Sequence, residues 1–384
     1  MKYVKRTGVL LLTVLLLFNV WLLLSGKTWV YKALVYNYVN IDDHTIFIQR
    51  EVPAGAPRPW PLSRLYNQLK PDTATENELL RERSVAYLVI HRDSILYEAY
   101  WDGYSDSSLS NSFSMSKSVV AVLTGIAFRE GKIRSLDQKV ADFIPEYAGN
   151  SKGKLSLRNL ITMSAALSWD EAYASLFSIT TEAYYGKDLK GLMDRLEVVG
   201  EPGKNYEYQG GATQLLAMVL MRATGKSLSE YCSEKLWRPL GAEHAAEWTI
   251  DREGGMEKAS CCIYSNARDF ARIGALYLHL GNWHGQQLLD SAFVKESVVP
   301  APLLDEGTPN VEYGYQWWIA EVDGHKIFYC RGILGQYIVA IPDKDIVMVR
   351  LGHQRRQAAD GTLLDLPLYV RGALQMAAKA EAGR

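Results

Sequence analysis

The run Asn111-Ser-Phe-Ser-Met-Ser-Lys-Ser-Val-Val120 joins a polar, serine-rich segment to the apolar sequence Val119 to Phe128. It sets Ser114 and Lys117 three residues apart, and residues at that spacing share one face of a helix. A helix beginning near Ser114 aims a hydroxyl and an amine at the same point. Its first turn also carries unpaired N–H groups and a partial positive charge, which favour anions. A serine so placed is a candidate covalent nucleophile with its activating partner alongside. The pattern is short, and Ser151-Lys-Gly-Lys154 also fits it. That second match sits in a polar, glycine-containing stretch with no apolar run after it and reads as a loop.

Bulk properties narrow the classes of function. A chain of 384 residues can bury a large core in one unit or two intimate lobes. The formal net charge of -1 gives no reason to expect nucleic acid as a partner. Ten tryptophans and 23 tyrosines are a heavy aromatic load, enough to pack a core and also line a cleft. Cys232, Cys261, Cys262 and Cys330 form no C-x-x-C pair and have no histidine at ligand spacing, so no zinc site is expected. Cys261 and Cys262 are adjacent and, on a strand, would face opposite ways. Buried thiols are therefore expected rather than a bridge. No cofactor is implied.

Lys2, Lys5 and Arg6 precede the apolar run Gly8 to Ser25. About 18 residues make roughly 27 Å of helix, enough to cross a thin bilayer. Basic residues on the amino side keep that end in the cytoplasm and send the rest outward. Residues 1–27 are thus expected to be a single-pass anchor in the cytoplasmic (inner) membrane, with the catalytic part in the periplasm or at the cell exterior. A cleaved signal peptide followed by secretion is the rival reading. Residues 28–79, rich in proline, read as a juxtamembrane lead and irregular cover.

From residue 80 onward strands come first, helices fill the middle, and strands return before a final helix. Val85 to Ile90 and Ile95 to Trp101 read as a strand pair, and Ser114 to Glu130 as a helix stopped by Gly131. Leu136 to Tyr147 and Leu157 to Ser164 read as short helical pieces. Thr213 to Thr224, Leu228 to Trp237 and Ala267 to Leu280 read as longer ones. Tyr315 to Glu321, Lys326 to Tyr329, Tyr337 to Ile341 and Ile346 to Leu351 read as strands, and Leu363 to Ala380 as the closing helix. This order predicts an α+β unit over 80–384. An antiparallel sheet is flanked by helices, and a mostly helical lobe forms one side of a cleft.

Two further stretches carry chemistry. In Pro202-Gly-Lys-Asn-Tyr-Glu-Tyr208-Gln-Gly-Gly, a turn and then glycines opening an apolar helix could present the Tyr208 phenol at a cleft edge. Tyr329-Cys-Arg-Gly332-Ile-Leu-Gly335-Gln-Tyr337 reads as a strand interrupted by glycines, which often marks close approach of backbone to ligand.

With these residues in hand, the chain resembles the serine hydrolases of the β-lactamase and penicillin-binding-protein superfamily. It looks closest to the class C-like branch that holds the nylon-oligomer (6-aminohexanoate-dimer) hydrolases. Ser114 and Lys117 match the first motif, Ser-x-x-Lys. Tyr208-Gln209-Gly210 stands at the second, Tyr-x-Asn, and Cys330-Arg331-Gly332 at the third, Lys- or His-x-Gly. Leu157 to Ser168, Gly225-Lys-Ser-Leu, Trp237-Arg-Pro-Leu-Gly241 and Ala267-Arg-Asp-Phe-Ala-Arg272 are similar to family landmarks in the right order.

The resemblance implies acyl transfer to a small amide or ester substrate. Ser114 attacks a carbonyl, and Tyr208 with Lys117 takes its proton and returns it to the leaving group. A phenol is a poor base in water, and an adjacent ammonium favours its ionised form, so those two groups need each other. The backbone N–H groups of Ser114 and Ile333 are the implied oxyanion hole. Tyr185, with Tyr184 on the same loop, is a candidate to close over the substrate. Arg331, Gly332 and Gly335 are candidates to contact it. Gly210 and Cys330 depart from the family pattern and remove polar groups that normally hold a substrate carboxylate or amide. That argues against a penicillin-recognising peptidase or β-lactamase, the alternative within enzymes. A catalytically silent, pocket-bearing receptor is the alternative outside them.

Overall fold

The computed structural model describes residues 2–383, without the side chains of Lys2 and Val4. The Lys2 charge expected to flank the anchor thus lies outside the described residues. The central sheet has six strands, all antiparallel to their neighbours. In spatial order they are Trp318–Val322, His325–Gly332, Gln336–Ile341, Ile346–Gly352, Ser84–His91 and Ser94–Tyr100. N- and C-terminal parts of the chain therefore pair directly, with Val347 opposite Ile90 and Met348 opposite Val89. The inner strands are mostly apolar because both faces are covered. Gly274 of the helix Ala267–Leu278 presses on Val347 and Ile338, where a Cβ would come within 3.0 Å of both side chains. On the opposite face Tyr369 of the closing helix Leu366–Ala382 packs on Tyr87 and Tyr337.

Two buried arginines tie the layers together. Arg350 spends its guanidinium on five oxygens, from the Ser84 hydroxyl to the carbonyls of Glu82, Leu334, Gly335 and Gln354. Arg272 pairs with Asp269 and Glu243. A buried cation is tolerated only when its donors are filled in this way.

A second, smaller sheet went unread in the sequence. Ile48–Val52, Ala246–Ile250, Ile263–Ser265 and Ser110–Asn111 form it in that order. Its strands are two to five residues long, too short for an alternating pattern to stand out. Residues 28–79 are also more regular than expected. They hold the helix Trp29–Tyr36, the strand Ile48–Val52 and the helix Thr73–Arg81, which packs on the closing helix. Leu136 to Tyr147 reduces to two single 3₁₀ turns, and Ser151–Lys154 is another.

Among the described residues one helix, Lys5–Leu24, is long and apolar enough to cross a membrane, and its side chains are almost all exposed. A signal sequence would have the same character.

Two corrections bear on the site. Tyr184 and Tyr185 end a helix, Ile179–Tyr185, rather than riding a loop. Cys261 and Cys262 are bonded to each other. They lie in a turn, not a strand, and Cys262 takes φ 75°, so the alternation that would separate two strand neighbours does not apply. Cys232 and Cys330 are free and buried, as expected.

Candidate active site

The nucleophile candidate sits where the two sheets meet. The strand Ser110–Asn111 pairs with Tyr264 and Ser265 of the small sheet, and the Asn111 side chain receives the Phe113 N–H at 2.9 Å. Phe113 is held at φ 43°, a conformation rare for a bulky residue, and the chain then enters the helix Met115–Arg129 with Ser114 as its N-cap. From the other side, Gly332 closes on the Ser112 carbonyl so tightly that no Cβ would fit. This packing brings Ile333, the next residue, to the nucleophile loop.

Lys117 is buried, and its ammonium donates to Ser114 Oγ at 3.0 Å and to the Ser260 carbonyl at 2.8 Å. The Ser260 turn is fixed by three further bonds. Ser116 Oγ donates to the Ala259 carbonyl, the Ala259 N–H donates to Gln214, and Gln214 donates to the Glu257 carbonyl. Gln214 belongs to the helix Gly210–Thr224, so the two glycine- and serine-led helices grip one turn.

Tyr208 is half-buried just before that second helix, and its ring centroid lies 4.9 Å from the Lys117 ammonium. The ring packs into an aromatic wall, tilted at 5.6 Å from Trp318 and edge-on at 5.9 Å from Tyr313. The Tyr208 ring is therefore brought beside the Ser114–Lys117 pair from a distant stretch of sequence.

A cavity of about 400 Å³ opens at Ser114 and Lys117 and is also lined by Ile333, Gly210, Glu171 and Tyr185. Tyr185 is buried, and its hydroxyl has no hydrogen-bond partner among the described residues. Burial pushes its pKa up to about 12, so it stays a neutral phenol in the cavity wall. Its neighbour Tyr184 is instead committed to Asp43, donating at 2.6 Å.

The remaining sequence candidates lie outside the cavity lining. The Arg331 guanidinium lies 3.7 Å over the Trp318 ring. Gly332 and Gln336 flank a turn, Ile333–Gly335, so the stretch read as one interrupted strand is a hairpin. Leu334 and Gly335 both take positive φ in that turn, and Gly335 abuts the Arg350 guanidinium. Arg331, Gly332 and Gly335 are absent from the cavity lining. The Cys330 thiol is fully buried, and burial pushes its pKa up to about 12.

Sequence reasoning missed Glu171 and Lys258. Glu171 accepts the Gly210 N–H and the Trp169 indole N–H, at the amino end of the helix Gly210–Thr224. Lys258 is buried against the cavity, donating to the carbonyls of Ala183, Tyr184 and Gly186. Neither belongs to a spaced motif. Each is found only once the loop 170–178 and the turn at 257–262 are folded.

Residues 73–366 match the Beta-lactamase family, well over half of the chain, and the chain belongs to that family. It is 28% identical over 289 residues to the 6-aminohexanoate-dimer hydrolase of Paenarthrobacter ureafaciens, covering 69% of this chain and 71% of that one. Among solved structures, a candidate 6-aminohexanoate-dimer hydrolase from Bacillus anthracis superposes with a TM-score of 0.74 at 22% identity, over 89% of this chain and 94% of its own. A family VIII carboxylesterase superposes with a TM-score of 0.62 at 15% identity, over 82% and 98%. The structural likenesses establish the β-lactamase-like α+β fold, and the family makes the chain a hydrolase.

Proposed function

We propose that this member of the beta-lactamase family is a serine hydrolase that cleaves an amide or ester through an acyl-enzyme on Ser114. The observation that carries the reading is the 3.0 Å bond from the Lys117 ammonium to Ser114 Oγ at the mouth of a cavity, with the Tyr208 ring 4.9 Å from the same ammonium. Tyr208, beside Lys117, accepts the Ser114 proton as Oγ bonds to the carbonyl carbon. The N–H groups of Ser114 and Ile333 hold the oxyanion. Collapse breaks the bond to the leaving nitrogen or oxygen, which departs with that proton, and water then releases the acyl group. Tyr185 forms part of the cavity wall against which the substrate lies. Gly332 and Gly335 act through the backbone they permit, and Arg331 through the Trp318 stack behind Tyr208.

Lack of a polar side chain at Gly210 and the buried position of Cys330 weigh against penicillin recognition. A linear amide or ester suits the site better. Residues 1–27 serve as the anchor, 28–79 as a collar, and 80–384 as the catalytic unit facing away from the cytoplasm. The deciding experiment is fluorophosphonate labelling read by intact mass. Wild type gains one adduct and Ser114→Ala none, whereas an unlabelled wild type makes the pocket a receptor.

A further inference from the structure

The cavity that begins at Ser114 runs on to chain that directly follows the N-terminal helix. Ala33, Leu34, Asn37 and Tyr38 form part of its wall, with Tyr173 and Leu176 of the loop 170–178 also lining it. Only the short link 25–28, about 14 Å even when fully extended, and the first turn of the helix Trp29–Tyr36 separate this wall from the end of the helix at Leu24. The wall is also tied back onto the helix. The Tyr31 hydroxyl donates to Asn19 at 2.9 Å, Phe177 meets Trp21 edge-on at 5.8 Å, and Leu22 is fully buried. Asn19 lies about 7.5 Å along the axis before the helix ends.

If the helix spans a bilayer, this end of the cavity is held at the level of the lipid headgroups. The surface there has the composition of that layer. Leu34 and Val35 are 54% and 75% exposed, and Tyr36, Tyr38 and Phe177 are exposed beside them. Exposed Trp21 and half-buried Lys27 complete the ring, with the Lys27 ammonium 5.3 Å over the indole of the buried Trp29. Aromatic and basic residues collect at membrane–water interfaces, and a contiguous apolar rim left in water is disfavoured.

We infer that the site draws its substrate from the outer leaflet, and that the substrate class is a bilayer-resident amphiphile with a long acyl chain in ester or amide linkage. The chain threads between the helix Trp29–Tyr36 and the loop 170–178 to bring its carbonyl to Ser114. The Ser114 Oγ–acyl bond forms, the bond to the headgroup oxygen or nitrogen breaks, the headgroup leaves with the serine proton, and water releases a fatty acid. This rests on both the hydrolase and the anchor readings.

The test uses the full chain in vesicles of phosphatidylethanolamine and phosphatidylglycerol, with ethyl and hexadecyl fluorophosphonates. Each methylene that enters apolar surroundings favours binding about fourfold until the cavity is filled. The hexadecyl probe should therefore label Ser114 at least about tenfold faster than the ethyl probe. Val35→Asp, which sets a negative charge against an anionic leaflet, should lower that ratio about fivefold, and Val35→Leu should keep it. A ratio near one, or a ratio indifferent to Val35→Asp, overturns the inference. Failure of the ethyl probe to label at all overturns the hydrolase reading instead. Release of the protein by alkaline carbonate overturns the anchor, and either of these takes the inference with it.

Discussion

The Lys117 ammonium bridges two elements that are 143 residues apart, donating to Ser114 Oγ at 3.0 Å on its own helix and to the Ser260 carbonyl at 2.8 Å. The second bond holds the cation in place when the first is broken during attack. Lys117→Met keeps the stem and removes the charge. Acylation by a short fluorophosphonate or ester should fall about 10²–10⁴-fold, the range for loss of a positioned proton-transfer partner. Far-UV circular dichroism should be unchanged, and a variant that stays within a few-fold of wild type would remove Lys117 from the mechanism.

Tyr208 offers a cleaner dissection, because its ring and its hydroxyl have separate roles. The ring packs between Trp318 and Tyr313, whereas the hydroxyl is the proposed base. Tyr208→Phe should preserve the melting temperature within about 2 °C and lower kcat/KM about 10²–10⁴-fold. Tyr208→Ala should lower both. Equal activity in the Phe variant and wild type would assign proton transfer to Lys117 alone.

Gly210 departs from the family pattern for a reason visible in its surroundings. A Cβ there would lie 3.0 Å from the Glu171 carboxylate and 3.2 Å from the Trp169 ring. The space that a longer side chain would need is already taken by Glu171. Gly210→Asn should therefore displace Glu171 and cut turnover of short esters about tenfold, with a smaller cut when Glu171→Ala is combined with it. Residues in direct contact are expected to be non-additive in this way. Strict additivity of the two changes would show that they do not compete for the same space.

What could be read from the chain follows from how local each signal is. Ser114, Lys117 and the strands Ser84–His91 and Ile346–Gly352 announced themselves through spacing and apolar runs within a dozen residues. Gly335 looked like a ligand-facing glycine, yet its φ of 82° serves a hairpin turn against Arg350. A positive φ and a close ligand leave the same mark in sequence. Glu171 and Lys258 acquire their partners from chain 39 and more than 70 residues away, so no window of sequence contains the reason for them. The Cys261–Cys262 bond is hidden in the sequence because strand alternation does not hold where the backbone turns.

Lys258 makes a prediction about pH. Its ammonium is fully buried and caps the carboxyl end of the helix Ile179–Tyr185, donating to the carbonyls of Ala183 and Tyr184 and to that of Gly186. Burial is the dominant influence and pulls its pKa from 10.5 down to about 7, with Asp251 opposing and Lys32 assisting. Above pH 7 the folded chain begins to give up this proton while the unfolded chain still holds it, up to about 10.5. The unfolded state binds more protons in that window, so this group's contribution makes stability rise with pH between about 7 and 10. Below pH 7 the contribution is flat. Urea denaturation of the detergent-solubilised full chain at a series of pH values should show this rise, and Lys258→Met should remove it. The same variant strands three carbonyls at about 1–3 kcal/mol each, so it should also melt at least about 4 °C lower. A slope that survives Lys258→Met would mean that the amine stays charged throughout the window, held by its three carbonyl partners.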